Sequence, residues 1–453
     1  MRTRFPAALL LLLGVAAPAS AQPGGADEEA RVETGQLRGQ HLGPAVVFRN
    51  IPYARPPVGA LRWRPPRPAI TWRGVRGAIE AGPDCIGGDR SAAAGAEDCL
   101  TLSVWEPYAP LGGRVPVVVW FHDGGAAVHG GAFADEYLVF VSVNYRLGRF
   151  GTFAHPALAG EARGAPSGNF ALMDQIAALQ WIRRNIGQFG GDPDRIVLMG
   201  QGAAGGSVLV LMTSPAARGL FHRVILQSPA HPGPRDSALP DFAAMARVGI
   251  AFARRLGLSG NDARVLGALR ALPAASLAED PAPRGPMIDG TLVVEPPEAA
   301  LRAGRQARVP ILVGANGFED ETAILEPARF VAQAMARAGQ PVWHYRFSYV
   351  AAARRGQSGG AVHGSEIPFL LDDGGADASA RDRSEARSLV AYWTAFASTG
   401  DPNIRYSARW EPFDLETGRI MQFTDDARSS GPDPRRARLD ALQALREGAT
   451  SLP

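Results

Sequence analysis

Residues 196–208 decide the fold, and they read IVLMGQGAAGGSV. The apolar run 196–199 predicts a buried strand, and the small residues after it predict a tight turn leading into a helix. This is the setting of a nucleophile elbow, G-x-S-x-G, in which the turn raises a serine oxygen above the edge of a sheet. Gly202 stands at the serine position and Ala204 at the closing glycine. The sequence therefore predicts a catalytic turn that lacks its nucleophile.

Other apolar runs predict a mostly parallel central sheet. Short continuous runs of this kind are typical of strands covered on both faces. They occupy residues 45–48, 115–121, 138–145, 224–226 and 310–313. Leucine and isoleucine at helical spacing predict an amphipathic helix over residues 169–186. Because strands alternate with helices, we expect an α/β fold with a doubly wound sheet flanked by helices.

The N-terminus resembles a secretory signal peptide. A positively charged start and the apolar run 7–17 precede the small residues 19–21, so residues 1–21 are predicted to be cleaved near Ala21. The apolar run is shorter than the roughly 20 residues of a membrane span, so no membrane anchor is expected. The mature protein is then expected in the periplasm or outside the cell, as a single domain over residues 22–453.

Near the C-terminus, two local patterns carry predictions. Residues 374–383 are small and polar, which predicts a surface loop. Leu439, Leu442 and Leu445 recur at helical spacing, which predicts a short helix docked on the domain.

Composition bears on the class of partner. The formal net charge is +3, and the basic residues are arginines interleaved with Asp and Glu. No block of like charge stands out, so nucleic-acid binding is not expected.

The two cysteines, Cys85 and Cys99, lie in one stretch of mostly small and polar residues. Export exposes them to an oxidising compartment, which favours a disulfide over two free thiols. Closing a loop of about 15 residues contributes roughly 3 kcal/mol in the chain-entropy model. A metal pair would lack partner ligands, so neither a metal nor a cofactor is expected.

Five short motifs follow one another along the chain. They are IPYARPPVG at 51–59, EDCLTLSVWEP at 97–107, NYRLG at 144–148, FGGDP at 189–193 and GDPN at 400–403. Together they resemble the type-B carboxylesterase family, the α/β-hydrolase group that includes the cholinesterases. The resemblance runs from about Val32 to about Thr424. It implies an α/β-hydrolase fold and an ester-hydrolase ancestry, and it places the family's disulfide at the same two cysteines.

The resemblance also implies two members of a catalytic triad. The segment GANGFE at 314–319 is similar to the family's acid segment, although Phe318 replaces an aspartate. Glu319 is therefore the predicted acid, with Glu321 in reserve, and His363 resembles the family's histidine. A carboxylate bonded to one imidazole nitrogen fixes the tautomer, so that the other nitrogen can accept a serine proton.

The spacing between the predicted acid and histidine departs from the family. Only 43 residues separate Glu319 from His363, where the family usually inserts several more helices. We therefore expect a more open site.

The family's His-Gly-Gly-Gly turn appears with an aspartate at position 123. The implied oxyanion donors are the backbone N–H groups of Gly124, Gly125 and Ala203. A carboxylate of Asp123 near an oxyanion would oppose it by about 1 to 4 kcal/mol at 4 Å, depending on screening. The alternative is that Asp123 points outward.

Three other side chains are alternative candidates for the nucleophile. Ser207 lies about 140° round the helix from Gly202 and roughly 7.5 Å along it, so it should face away. Ser228 matches a family serine that supports the triad acid and is interpreted as structural. Attack by the carboxylate of Asp123 is the least favoured.

Two functions remain in competition. The first is a protein without catalysis on an esterase scaffold, binding a small-molecule ester, a related ligand or a protein partner; the neuroligin adhesion proteins of this family also lack the serine. The second is an ester hydrolase in which His363 activates water, because triad-deleted enzymes keep roughly 10³–10⁴-fold catalysis over water. The changes at Gly202, Ala204 and Asp123 together favour impaired or absent esterase activity.

Overall fold

The computed structural model describes residues 28–88, 95–108, 112–124, 129–164, 167–230, 239–279, 285–357, 359–372 and 374–450. The predicted signal peptide, 1–21, and the predicted oxyanion donor Gly125 lie outside these ranges.

Two β-sheets run through the described part of the chain. Their strands are β1 (Glu29–Val32), β2 (Gly35–Arg38), β3 (Gln40–Leu42), β4 (Ala45–Pro52), β5 (Val75–Gly77), β6 (Thr101–Pro107), β7 (Val115–Phe121), β8 (Val139–Val143), β9 (Gly191–Gln201), β10 (Arg223–Gln227), β11 (Ile311–Asn316), β12 (Val342–Phe347), β13 (Arg419–Phe423) and β14 (Arg428–Pro432).

The larger sheet has the order β14-β13-β12-β11-β10-β9-β7-β8-β6-β4-β3. From β8 across to β13 all neighbours are parallel. At one edge β6, β4 and β3 pair antiparallel, and at the other β14 does. Strands β1, β2 and β5 form the small second sheet.

Helices connect these strands. They are α1 (Gly131–Asp135), α2 (Gly148–Gly151), α3 (Pro156–Ala162), α4 (Phe170–Asn185), α5 (Gly202–Thr213), α6 (Phe242–Arg255), α7 (Ala263–Arg270), α8 (Ala274–Ala278), α9 (Pro297–Arg302), α10 (Glu326–Arg337), α11 (Ile367–Leu371), α12 (Ala380–Thr399) and α13 (Arg436–Thr450).

Alternate side chains of the parallel strands enter two separate apolar layers. On β7, Val117, Val119 and Phe121 pack in one layer with α4, α5 and α10. Val118 and Trp120 point the other way and pack with α1 and α12. Because successive side chains of a strand face opposite sides, a continuous apolar run fills both layers at once. The predicted α/β fold, with its mostly parallel sheet between helices, is confirmed.

The strand ends position the site. Strand β9 stops at Gln201 and α5 begins at Gly202, while β11 stops at Asn316, three residues before Glu319. Carboxyl ends of parallel strands meet at one edge of a sheet, which is where ligands bind in open α/β sheets. The fold therefore brings the predicted site residues to one edge.

The predicted surface loop at 374–383 is wrong in its last residues. Helix α12 begins at Ala380, and Ser379 and Asp382 form a reciprocal cap: each side chain accepts from the other's backbone N–H, at 3.1 and 2.8 Å. The Asp382 side chain is buried and also accepts from the hydroxyl of Tyr349 at 2.7 Å. Small polar residues suit loops and helix caps equally, and tertiary burial of Asp382 decides for the cap.

Other predicted element boundaries differ less from those in the structure. The helix predicted over 169–186 spans Phe170–Asn185, and the strand predicted at 196–199 is part of the longer β9. The C-terminal helix is present as α13, where Leu439 is buried but Leu445 is 71 % exposed.

Cys85 and Cys99 form a disulfide, with their Cα atoms 5.2 Å apart. Within the described ranges, no helix is both long and apolar enough to cross a membrane.

Replacing Asp382 by alanine should lower the free energy of unfolding by about 2–4 kcal/mol, because it removes a helix cap and leaves the Tyr349 hydroxyl without its acceptor. Ser384→Ala, an exposed change on the same helix, should cost within about 0.5 kcal/mol. Urea denaturation of both variants checks the difference, and equal stabilities would contradict the cap.

Candidate active site

Gly202 occupies the turn between β9 and α5 in a left-handed backbone conformation. Its φ is +60°, which glycine adopts without the penalty that a Cβ brings. A Cβ built on Gly202 would lie 2.8 Å from Nε2 of His363, closer than ordinary Cβ contacts. The side chain expected at a nucleophile elbow would therefore point at the histidine ring.

Glu319 and His363 form a hydrogen-bonded pair beside this turn. Oε1 of Glu319 contacts Nδ1 of His363, while Oε2 accepts from the backbone N–H of Asn316 at 2.6 Å and from the hydroxyl of Ser228 at 2.8 Å. The Glu319 side chain is 2 % exposed and the His363 side chain 49 % exposed. A buried, fully engaged carboxylate thus orients an imidazole that faces solvent, in keeping with the open site expected from the short spacing.

Ser228 follows β10 with a positive φ of 43°, rare for a residue with a side chain. Its N–H donates to the carbonyl of Gly314 at 2.8 Å, which holds the residue in place. The hydroxyl of Ser228 donates a hydrogen bond to Glu319, which agrees with a structural interpretation of this serine. The reserve acid Glu321 lies elsewhere, paired with Arg435 at 3.6 Å and with Arg438.

The pKa of His363 is raised above its ordinary value. The hydrogen bond to Glu319 is the largest cause, partial burial opposes it, and the carboxylates of Glu319, Glu366 and Asp123 add to it. A neighbouring negative charge favours the imidazolium, so the neutral ring is a stronger base than a free imidazole.

Gln201 is a site residue that sequence analysis missed. Its Nε2 lies 2.9 Å from Nε2 of His363. In the neutral ring, Glu319 keeps the proton on Nδ1, and the amide N–H of Gln201 then donates to the lone pair on Nε2. That lone pair is the one that accepts a serine proton in a working triad. The signal was its place directly before the elbow position.

A second buried carboxyl lies behind the pair. Glu366 is completely buried and accepts from Nδ2 of Asn316 at 2.6 Å and from Nε2 of Gln227 at 3.2 Å. Burial, with the nearby charge of Glu319, raises the pKa of Glu366 to about 7. Asn316 therefore ties both carboxyl groups together, one through its backbone and one through its side chain.

The backbone N–H groups of the predicted oxyanion donors Gly124 and Ala203 lie in different local structures. The N–H of Ala203 belongs to the first turn of α5, next to Gly202. The N–H of Gly124 donates to Nδ1 of His122 at 3.3 Å, and burial lowers the pKa of this histidine, so its ring is a neutral acceptor. A donor role for Gly124 and Ala203 stays a prediction.

A cavity of about 180 Å³ adjoins the elbow. Asp123, Ala203 and Ser207 all contribute to its wall, together with Tyr145 and Asn169. The charge of Asp123 raises the pKa of His363 and of Tyr145, so the alternative that Asp123 points outward and does nothing is not favoured. The hydroxyl of Ser207 donates to Oε1 of Gln175 at 2.8 Å, and its expected direction away from Gly202 stays a prediction.

A mostly parallel sheet whose strand–turn–helix corner faces a Glu–His pair is the architecture of an α/β-hydrolase. The sequence model of the Carboxylesterase family matches residues 26–325 and 318–441. The chain belongs to the carboxylesterase family.

Individual relatives agree with this assignment. The chain is 31% identical to a fumonisin B1 esterase of Sphingopyxis macrogoltabida, over 91% of this chain and 89% of the relative. It is 28% identical to carboxylesterase 1C of Rattus norvegicus, over 83% and 85% of the two chains. Among solved structures, a carboxylesterase of Geobacillus stearothermophilus is similar with a TM-score of 0.77 and 28% identity, over 91% of this chain and 99% of that one.

A partial match points the same way. A phenmedipham hydrolase of Pseudarthrobacter oxydans is 41% identical over 219 residues, which are 44% of this chain and 42% of the relative.

The Glu319→Gln variant should lower the pKa of His363, because it removes the charge that stabilises the imidazolium while keeping the acceptors for Asn316 and Ser228. NMR titration of the imidazole measures the change. Glu321→Gln is the matched control and should leave this pKa in place, since Glu321 pairs with Arg435 and Arg438. Equal shifts in the two variants would contradict the pairing described above.

Proposed function

We propose that this protein is an exported member of the carboxylesterase family that has lost serine acyl transfer and binds a small-molecule ester or a related ligand beside the elbow. The observation that carries the proposal is Gly202 itself. A residue without a hydroxyl stands where a Cβ would lie 2.8 Å from Nε2 of His363. Glu319 and His363 contact each other beside this turn.

The hydrogen bonds of the neighbouring serine hydroxyls support the proposed loss of serine acyl transfer. Ser228 donates to Glu319 and Ser207 donates to Gln175, so both serines weighed as substitutes have other partners. The base is engaged as well, because Gln201 donates to the Nε2 lone pair. Serine chemistry needs a hydroxyl and a free base in contact, and this arrangement supplies neither.

Charge in the cavity also disfavours acyl transfer. A tetrahedral intermediate carries a negative oxygen, and oriented N–H donors normally stabilise it. Asp123 brings a carboxylate into the cavity wall, while the N–H of Gly124 is directed at His122. Both features weaken the stabilisation of an oxyanion there.

The cavity is the basis for the binding proposal. Its volume of about 180 Å³ is below the roughly 300–1,000 Å³ of pockets for drug-sized ligands, so it suits only a small ligand. Two relatives are named as a fumonisin B1 esterase and a phenmedipham hydrolase, which supports a carboxylic ester or a related ligand. The signal-like segment 1–21 supports export.

One observation favours a second function, slow ester hydrolysis by water. The pair Glu319–His363 is complete and its imidazole is half exposed, so a displaced Gln201 would leave a base able to activate water.

Comparing Gly202→Ser with Gly202→Ala separates the lost hydroxyl from the strain of adding a Cβ at a positive φ. Gly202→Ser should raise hydrolysis of a short-chain aryl ester by about 100-fold or more and should react with an organophosphonate probe. Gly202→Ala, which adds the same Cβ without the oxygen, should not exceed the wild-type rate and should remain unlabelled.

Two outcomes would overturn the proposal that serine acyl transfer has been lost. One is rapid turnover and phosphonate labelling of a serine in the wild-type protein. The other is identical behaviour of Gly202→Ser and Gly202→Ala after Asp123→Gly and Ala204→Gly have been added to both, since those changes remove the opposing charge and the crowding methyl.

Ligand binding is tested at the cavity wall. Ala203→Phe should weaken binding of a non-hydrolysable amide analogue of the same ester by about tenfold or more, because the ring takes up cavity volume. Tyr406→Ala, at a fully exposed position, is the control and should not change the affinity. Calorimetry measures both, and an affinity that ignores the Ala203 substitution would place the ligand on another surface.

A further inference from the structure

We propose that Nε2 of His363 is itself a nucleophile, so that activated carboxylic esters acylate this histidine and the protein turns over slowly through an acyl-imidazole. The proposal rests on the proposed loss of the serine nucleophile. It differs from water activation, because a covalent bond forms between the protein and the acyl group.

The first argument is access. In a serine elbow, the serine side chain stands between the histidine and the substrate carbonyl. At Gly202 that side chain is absent, and its Cβ position is only 2.8 Å from Nε2. A carbonyl carbon entering this space can come within the roughly 3–3.5 Å of a near-attack geometry. The His363 side chain is 49 % exposed, so an ester can reach it from solvent.

The second argument is electronic. Glu319 holds the proton on Nδ1, so the lone pair of the neutral ring lies on Nε2, toward the elbow. The charged and titratable groups that act on the ring are Glu319, Glu366 and Asp123, and all three carboxyl groups raise the pKa of His363. A more basic imidazole is a better nucleophile once it is deprotonated.

The third argument concerns Gln201, which controls the lone pair. Its amide lies 2.9 Å from Nε2, so an incoming ester must displace this hydrogen bond before C–N bond formation. Gln201 is therefore a positioning residue that slows acylation without supplying chemistry of its own.

The chemistry balances without a further reagent. The Nε2 lone pair attacks the carbonyl carbon, a C–N bond forms, and the negative oxygen develops near the N–H of Ala203. The C–O bond to the aryl group then breaks and aryloxide leaves. Water adds to the acyl-imidazolium and the C–N bond breaks. The released acid gives a proton to solvent, and Nε2 recovers its lone pair.

Incubation with p-nitrophenyl acetate, an acid quench and peptide mass spectrometry test the proposal. Acetylation should appear on His363 at least about tenfold faster than on His129, an exposed histidine that serves as an internal control. The rate should rise with pH through the pKa of His363, which lies above its ordinary value, because the imidazolium has no free lone pair.

Two variants probe the supporting residues. Gln201→Ala should speed acetylation by about 3- to 10-fold, the worth of one neutral hydrogen bond. Glu319→Gln should slow it by about 10- to 100-fold through loss of charge and tautomer control. Circular dichroism checks that both are folded, and His129→Gln should leave turnover unchanged.

Hydroxylamine covers the case in which the acyl-imidazole breaks down too fast to trap. With p-nitrophenyl and phenyl acetate as substrates, a shared acyl-imidazole gives the same ratio of hydroxamate to acid from both esters. A hydroxamate-to-acid ratio that depends on the leaving group would overturn the proposal. So would acetylation of His363 that is no faster than acetylation of His129, if the protein also shows no ester turnover. These results leave the proposed function intact, whereas phosphonate labelling of a wild-type serine would overturn the proposed function.

Discussion

The parallel strands of the central sheet are covered by apolar side chains on both faces, and the rest of the structure depends on this burial. Strands β7, β9 and β11 send alternate residues into two layers, each closed by helices. Backbone groups inside such a sheet must be paired, so the strands keep register until they reach the carboxyl edge. At that edge the chain leaves the sheet, and side chains from different strand ends can meet. There the turn at Gly202 approaches the pair Glu319–His363.

At that edge, Glu319 and His363 form a hydrogen-bonded pair beside a glycine. Glu319 is buried and bonded to Asn316 and Ser228, so replacing it would leave buried donors unsatisfied. That structural cost gives the protein a physical reason to keep the carboxylate. The other nitrogen of the histidine, which faces the elbow, contacts the amide of Gln201. Hydrogen bonding therefore holds the geometry of this pair in place with a glycine at the elbow.

Much of the fold could be predicted from the sequence, because continuous apolar runs and helical spacing are local patterns. The helix at Phe170–Asn185 and the strands around Gly202 follow from them closely. The start of α12 could not, since the sequence around Ser379 suits a loop or a cap, and burial of Asp382 decides between them. In the site, Glu319 and His363 were accessible to motif comparison, whereas Gln201 lacked a pattern of its own.

The sequence by itself determined several core strands, the helix at Phe170–Asn185, the glycine at the elbow and the family resemblance. The strands and the helix follow from residue type and local spacing, and the resemblance follows from five short motifs. Only the tertiary structure decided that Gln201 donates to His363, that Asn316 joins Glu319 to Glu366, and that Asp123 lines the cavity. Such contacts join residues far apart in the chain. Their partners are set by how the strand ends converge, which no local pattern records.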